Sequence, residues 1–211
     1  MNQNNSGFLG SIPPVTLNLI IINAILLLAS SFLSNGQYSI LDEYLALFPV
    51  NSGYFMPHQL ITYMFMHGNF WHLFFNMFAV FMFGRTLETI WGPKKYLLYY
   101  MLTGIGAGLT QLLVTYLSGS PYPTVGASGA VFGVLVAFGM LFPNSELFII
   151  PFPFPIKAKW FVMGYGAIEL FYGVSGTADG VAHFAHLGGL IVGFLIVYYW
   201  KKSGKTYDQR Y

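Results

Sequence analysis

The chain has 211 residues, of which 55% are hydrophobic and only 8% charged, and its formal net charge is +2 at pH 7. Soluble domains carry about 25% charged residues, so this composition excludes an ordinary soluble globule, a disordered segment and a nucleic-acid binder. The mean hydropathy of +0.60 indicates a protein of the lipid bilayer. The sequence has no cysteine, which excludes a disulfide framework, thiolate metal sites and a cysteine nucleophile.

Apolar runs bounded by glycine, proline or charged residues predict six membrane-spanning helices. One crossing takes roughly 20 apolar residues, so six crossings leave little for a separate soluble domain. We therefore expect an all-α polytopic bundle over residues 15–200, flanked by a cytoplasmic tail of residues 1–14 and a basic cytoplasmic tail of residues 201–211. The predicted spans are 15–34, 58–84, 94–117, 125–142, 157–175 and 181–200.

The basic residues predict the orientation of the bundle. With six crossings they all fall on one face, and positive charge marks the cytoplasmic face of a membrane protein. The loops of the opposite face carry only acids, namely Asp42, Glu43 and Asp179. A missed helix would scatter the basic residues over both faces, so both termini are expected in the cytoplasm. The nine basic residues are Arg85, Lys94, Lys95, Lys157, Lys159, Lys201, Lys202, Lys205 and Arg210.

Ser128 begins the fourth predicted span, within the run Gly126-Ala127-Ser128-Gly129. A run of small residues in a membrane helix usually means close helix packing. Ser128 also falls in the first helical turn, where unpaired N–H groups and the positive dipole end can stabilise a developing oxyanion. The soluble hydrolase motif G-x-S-x-G does not fit, because residue 130 is alanine.

His186 lies in the sixth predicted span and shares a helix face with Gly189 and Gly193, because the three are spaced i, i+3 and i+7. Glycines on one face let a neighbouring helix approach closely, and Gly129 and Gly133 form a matching stripe in the fourth span. If the two stripes face each other, His186 comes within hydrogen-bond reach of the serine one helix away. That arrangement is a serine and histidine pair without an acid.

Two further residues bear on this pair. Phe132, one turn below the serine, can stack on the imidazole of His186. His183 competes for the role of base, but it lacks a glycine three residues later, so packing favours His186. We interpret His183 as a group at the membrane interface or as one that lies behind the pair and supports it without reacting.

Polar residues occur in two more predicted spans. His72 and Asn76, four residues apart in the second span, share a helix face; such a pair is more often an interhelical contact than a catalytic one. His67 is five residues before His72 and is expected to point elsewhere. Glu169 in the fifth span is expected to pair with a buried donor as a structural group, the alternative being that it admits water.

Together these motifs resemble those of the rhomboid intramembrane serine proteases. The resemblance covers about residues 15–200 and includes a helix-end motif, Gly84-x3-Glu88, after the second span. The matching elements, in chain order, are His67-x4-His72-x3-Asn76, then Gly126-Ala127-Ser128-Gly129, then Ala185-His186-x2-Gly189-x3-Gly193.

The resemblance implies cleavage of transmembrane segments of other, single-span membrane proteins by the minimal six-helix bacterial form of the family, in the cell inner membrane and with a site open to the periplasm. It implies Ser128 as nucleophile, His186 as general base, and an oxyanion hole formed by His72, Asn76 and the Ser128 backbone N–H. It also implies an interfacial loop over residues 38–57. A substrate gate between spans five and two would involve Phe75 and Phe171. No cofactor, metal or nucleic acid is implied.

The sequence departs from the family pattern at two places. The Trp-Arg pair that many members carry near the interfacial loop is replaced by His58-Gln59, and the aromatic residue four positions after Ser128 is phenylalanine rather than tyrosine. Three other functions are alternatives to that of a protease, and each would require different sequence features. A proton transporter would need interrupted helices in paired halves, an inactive rhomboid-like binder would not need Ser128, and a metalloprotease would carry His-Glu-x-x-His.

Overall fold

The computed structural model describes residues 11–34, 39–148, 154–175 and 182–206. Predicted features in the remaining segments, such as Asp179 and the outer parts of both tails, lie outside the described residues. The helices are α1 (Pro14–Phe32), α2 (Ile40–Leu45), α3 (Gln59–Thr62), α4 (Phe70–Ala79), α5 (Arg85–Trp91), α6 (Pro93–Ser118), α7 (Ser128–Leu141), α8 (Ala158–Ser175) and α9 (His183–Lys202), and the strands are β1 (Glu146–Leu147) and β2 (Ile156–Lys157).

The described chain is an almost entirely helical membrane protein. Four of its helical segments are long and apolar enough to cross a bilayer, and α7, with 14 residues, is a shorter apolar helix. Each of the six predicted spans contains a helix. The four long segments are Pro14–Phe32, Phe70–Trp91, Pro93–Ser118 and His183–Lys202.

The second predicted span begins and ends later than expected. The chain is extended at Met66 and Asn69, and the Asn69 side chain accepts a hydrogen bond from the backbone N–H of His72, which is the role of a helix N-cap. The long helix therefore starts at Phe70. It continues through a π-helical turn at Val80–Gly84 to Trp91.

Helices α6, α7 and α9 form the centre of the bundle. Most side chains of α7 are buried, which identifies it as the inner helix. A β-carbon on Gly189 of α9 would overlap the carbonyl oxygen of Gly129, and one on Gly193 would lie 2.9 Å from the Cα of Gly133. The two predicted glycine stripes therefore do lie against each other.

The loop after α1 contains the short helix α2. Ser39 and Asp42 form a capping box at its start. The pair that replaces Trp-Arg anchors this loop: His58 Nε2 is 2.8 Å from the carbonyl oxygen of Tyr44. The fully buried Gln59 accepts the backbone N–H groups of Phe48 and Met56 and donates to the Tyr54 carbonyl.

The helix-end motif joins α5 to α1. The carboxylate of Glu88, 2% exposed, accepts the backbone N–H groups of Val15 and Thr16 and the Thr16 hydroxyl at 2.7 to 2.8 Å. It therefore satisfies N–H groups at the start of α1 that have no partner within that helix.

The two ends of the bundle differ in their contacts. At one end, Lys201 donates to the carbonyl of Met140, and the Nζ of Lys95 lies 4.3 Å from the ring centroid of Trp200. At the other end, the loop after α1 pairs with the segment before α7 through two backbone hydrogen bonds between Leu47 and Thr124. Ser128 follows that segment directly.

Candidate active site

Ser128 and His186 meet where α7 and α9 pack together. The Oγ of Ser128 lies 2.8 Å from Nε2 of His186, a distance at which the hydroxyl can donate to the imidazole. Ser128 is the first residue of α7, and the preceding Ala127 offers no side-chain cap. The first N–H groups of α7 therefore have no partner within the helix. The structure brings together the two groups that the sequence paired.

The imidazole of His186 stacks on an aromatic ring. The ring of Phe132 is 4.6 Å from that of His186, centroid to centroid, and the two planes differ by 10°. The ring of Phe132 also contacts Tyr165 of α8, and the centroids of these two rings are 4.7 Å apart. Phe132 is 4% exposed. This contact restricts how His186 can rotate.

Glu169 of α8 also contacts His186. Its Oε2 lies 2.9 Å from Nδ1 of His186 and 2.6 Å from Nδ1 of His183. The glutamate is 5% exposed, and it is one of two buried residues in α8, the other being Ala158. The expectation of a serine and histidine pair without an acid is therefore wrong.

The sequence identified Glu169 as a charge that needs a buried partner, but it could not name the partner. Contacts across helices depend on how each helix is rotated and how closely it packs, and the spacing within one span fixes neither. The sequence indicated a partner for Glu169 only through chemistry. A lone acid in an apolar helix must find donors, and His183 and His186 were the donors on the next helix.

His183 is buried, at 8% exposed, and contacts Glu169. Its ring packs on Tyr172, with centroids 5.6 Å apart and planes 29° apart. Its Nε2 has no hydrogen-bond partner among the described residues. Of the two predicted positions for His183, the structure shows the one behind the Ser128–His186 pair.

His72 and Ser128 border one space beside Gly126. The position that a β-carbon on Gly126 would occupy lies 2.7 Å from His72 Nε2 and 3.7 Å from Ser128 Oγ. Gly126 has φ +127°, a conformation that strains residues with a β-carbon. Only glycine at this position leaves the space open and permits the backbone geometry.

Asn76 lies one turn along α4 from His72 and is buried. Its side-chain amide donates to the His72 carbonyl at 2.9 Å, which leaves the second amide N–H for another acceptor. His67 does not point away from this region. Its ring is 4.9 Å from that of His72 in an edge-on contact, because the extended residues before α4 invalidate the helical spacing used to place it.

Phe75 of α4 and Phe171 of α8, the predicted gate residues, are both exposed, at 64% and 66%. Phe75 stacks on Trp71 of its own helix, and Phe171 contacts Tyr172. Helix α8 packs against α7 and α9. Both phenylalanines therefore present free aromatic surface.

One group of side chains in the described residues has the composition of a metal site. One ring nitrogen of His183, one ring nitrogen of His186 and a carboxylate oxygen of Glu169 lie within 4.8 Å of one another. Histidine and carboxylate ligands suit zinc and related ions. The same three residues are already joined by the two hydrogen bonds described above.

Residues 54–203 match the family model of the rhomboid domain. The chain is 34% identical over 161 residues to Rhomboid protein 1, mitochondrial, of Saccharomyces cerevisiae, covering 72% of this chain and 44% of that protein. It is 33% identical over 147 residues to Rhomboid protease AarA of Providencia stuartii, covering 63% and 52%. It is 31% identical over 138 residues to Rhomboid protease GluP of Bacillus subtilis, covering 64% and 24%.

The chain spans about half or less of the length of each of these relatives. The family match covers most of this chain and includes α4 to α9, with Ser128, His186, His72 and Asn76 among the matched residues. This chain belongs to the rhomboid family of integral, multi-pass membrane proteins.

Proposed function

We propose that this protein is an intramembrane serine endopeptidase that cleaves transmembrane segments of other membrane proteins with Ser128 and His186. The observation that carries the proposal is the 2.8 Å contact between Ser128 Oγ and His186 Nε2, at the start of a buried membrane helix. A serine hydroxyl is a weak nucleophile until a base removes its proton. Histidine can do so near neutral pH.

The proposed reaction begins with acylation of Ser128. Ser128 Oγ attacks the scissile carbonyl carbon while its proton moves to Nε2 of His186. The tetrahedral intermediate then collapses, the C–N bond breaks, and the same proton passes to the departing amine. A water molecule then attacks the carbonyl carbon of the resulting ester while giving a proton to Nε2 of His186. The ester C–O bond breaks, the new carboxylic acid leaves, and His186 returns the proton to Ser128 Oγ.

The negative oxygen of the tetrahedral intermediate needs hydrogen-bond donors. The Ser128 backbone N–H has no partner within its own helix, and His72 Nε2 faces the same space beside Gly126. The free N–H of Asn76 is the third candidate. Each such donor typically lowers the barrier by about 2.7 to 4 kcal/mol.

We infer six membrane crossings with both termini in the cytoplasm, in the inner membrane of a bacterial cell. Contacts of Lys95 and Lys201 support a basic end of the bundle, and basic ends face the cytoplasm. Ser128 follows the segment that pairs with the loop after α1, at the other end. The site would then open towards the periplasm, where water is available for hydrolysis.

The substrates would be single-span membrane proteins that enter from the lipid. The exposed rings of Phe75 and Phe171 are suited to contact an apolar helix at the entrance, and α8 has few buried residues to hold it in place. Substrate helices that unwind easily near the external interface would reach Ser128 most readily.

The test is covalent labelling in detergent by a fluorophosphonate, followed by peptide mapping. We expect the label on Ser128 and none on the Ser128→Ala variant. Ser128→Ala and His186→Ala should each abolish cleavage of a single-span model substrate, whereas Ser203→Ala, at the other end of the bundle, should cleave normally. Full turnover by Ser128→Ala, or labelling of another serine, would refute the proposal. An inactive binder would show neither labelling nor cleavage.

A further inference from the structure

We propose that Glu169 is a positioning residue of this reaction, whose carboxylate binds the Nδ1–H of His186 and completes a Ser128–His186–Glu169 array. This inference rests on the proposed function, because it assigns a role within the same site. The described hydrogen bonds of Glu169 are to His183 and His186, and none is to Ser128. It would act through His186 alone.

The contacts of His186 decide which of its ring nitrogens carries the proton. A neutral imidazole has one N–H, on either nitrogen, and an ionised carboxylate only accepts hydrogen bonds. Because Glu169 Oε2 is 2.9 Å from Nδ1, the proton belongs on Nδ1. Nε2 is then a bare acceptor that faces the Ser128 hydroxyl at 2.8 Å. Glu169 thus selects the one tautomer that can act as a base.

A positive charge develops on His186 during acylation. When Nε2 takes the serine proton, His186 becomes an imidazolium, and its Nδ1 proton stays between the ring and the carboxylate. A negative charge at 2.9 Å stabilises that cation, and it does so more strongly in a buried site than in water. Glu169 remains ionised throughout, so no proton passes to it.

A second histidine holds the carboxylate of Glu169 in place. His183 donates its Nδ1–H to the same oxygen at 2.6 Å, and its ring packs on Tyr172. Glu169 is therefore fixed from two directions. The bare Nε2 of His183, which has no partner in the described chain, is consistent with a histidine whose single proton is committed to Glu169.

A metal site built from the same residues is the competing interpretation. Zinc bonds of about 2.0 to 2.2 Å in a tetrahedral site place neighbouring ligand atoms roughly 3.3 Å apart. The 2.6 and 2.9 Å separations seen here are those of hydrogen bonds. The structure therefore favours a hydrogen bond, rather than a bridging metal ion, at each of these two contacts of Glu169.

The chain contains a matched control in Glu88. It is also a buried glutamate of a membrane helix with several donors, but it binds the backbone and hydroxyl groups at the start of α1 and, within the described part of the chain, no histidine. Replacing Glu88 removes a buried carboxylate without changing the active-site array. Any effect common to Glu88 and Glu169 variants is thus an effect of structure alone.

The experiment compares Glu169→Gln, Glu169→Asp, Glu88→Gln, Ser128→Ala and the unaltered protein, each as a monodisperse fraction in detergent. For each, kcat and KM for a single-span substrate, the fluorophosphonate labelling rate and the thermal unfolding temperature are measured. We expect Glu169→Gln to lower kcat at least about tenfold, and up to the roughly 10⁴-fold loss typical of a lost triad acid, with KM within about twofold. The labelling rate should fall in parallel.

Glu169→Asp keeps the charge on a shorter side chain and should recover part of the lost kcat. Glu88→Gln should lower the unfolding temperature and leave kcat of the folded fraction near that of the unaltered protein. A Glu169→Gln kcat within twofold of the unaltered protein would overturn the proposal. So would equal losses in the Gln and Asp variants that follow their unfolding temperatures.

If Glu169→Gln yields no folded protein, Glu169→Asp carries the test: a lowered kcat at an unchanged unfolding temperature supports the proposal, and an unchanged kcat overturns it. Activity that is lost on chelation with EDTA and restored by zinc would also overturn it in favour of a metal site. Ser128→Ala tests the proposed function separately from the role of Glu169, because full cleavage by that variant would refute serine catalysis itself.

Discussion

Gly189 of α9 packs directly on the backbone of Gly129 in α7. A β-carbon on Gly189 would overlap the Gly129 carbonyl oxygen and lie 3.2 Å from its Cα. The obstacle is backbone, which cannot move aside as the end of a flexible side chain can. This contact brings the helix of Ser128 against the helix of His186. The site therefore depends on glycine at both positions, 129 and 189.

Gly189→Ala is therefore expected to push α9 away from α7. Overpacking of this kind typically costs about 1 to 3 kcal/mol, and the displaced His186 would lose its bond to Ser128. We expect a lower unfolding temperature and at least a tenfold lower kcat in the folded fraction, as roughly 1.4 kcal/mol of lost alignment would give. Gly164→Ala in α8, where a β-carbon meets nothing within 4 Å among the described residues, should change neither measurement. Equal behaviour of the two variants would contradict the prediction.

Phe132 is expected to act through its stacking on His186. Phe132→Ala removes a contact worth about 0.5 to 1.5 kcal/mol, so kcat should fall about two- to tenfold beyond any loss of folded protein. The control is Phe138→Ala on the same helix, because the ring of Phe138 packs on Phe83 instead. Both variants should be less stable, but only Phe132→Ala should have a lower kcat. A normal kcat for Phe132→Ala would show that packing on the imidazole is dispensable.

Asn76→Ala is expected to leave measurable activity. The remaining donors, His72 and the Ser128 N–H, would still bind the oxyanion, and loss of one donor typically costs about 10²- to 10³-fold in kcat. The measurement is kcat at saturating substrate, and Ser128→Ala serves as the inactive reference. If Asn76→Ala is as inactive as Ser128→Ala, the amide does more than donate one hydrogen bond.

His183→Ala is also expected to remain active. The variant loses one of the two donors to Glu169, while the contacts of His186 with Glu169 and Ser128 remain. A moderate loss of kcat is expected, well short of that in His186→Ala. Complete inactivation of His183→Ala with a normal unfolding temperature would instead point to His183 as a base.

Gln59→Leu is expected to loosen the loop after α1. It leaves two backbone N–H groups and one carbonyl without their partner, at about 1 to 3 kcal/mol for each buried group. Faster proteolysis within residues 39–57 and a lower unfolding temperature should follow. His58→Ala removes a single contact on an exposed side chain and should have the smaller effect. The reverse order would mean that His58 is the main anchor.

Much of this protein is determined by its sequence alone. Low charge and long apolar runs require helices in a bilayer, because lipid offers no partners for open backbone. The spacing of Gly189 and Gly193 is local to one helix, so it correctly indicated a close contact for that helix. The order of the motifs around Ser128 and His186 indicated the family.

Other features depend on how helices are rotated and packed, which no spacing within one span records. The break at Met66–Asn69 is one: it starts α4 at Phe70 and brings His67 against His72. The approach of Glu169 to His186 is another, since it joins α8 to α9 through side chains 17 residues apart in sequence. A helix face can be predicted from periodicity, but its partner is chosen only when the whole bundle packs.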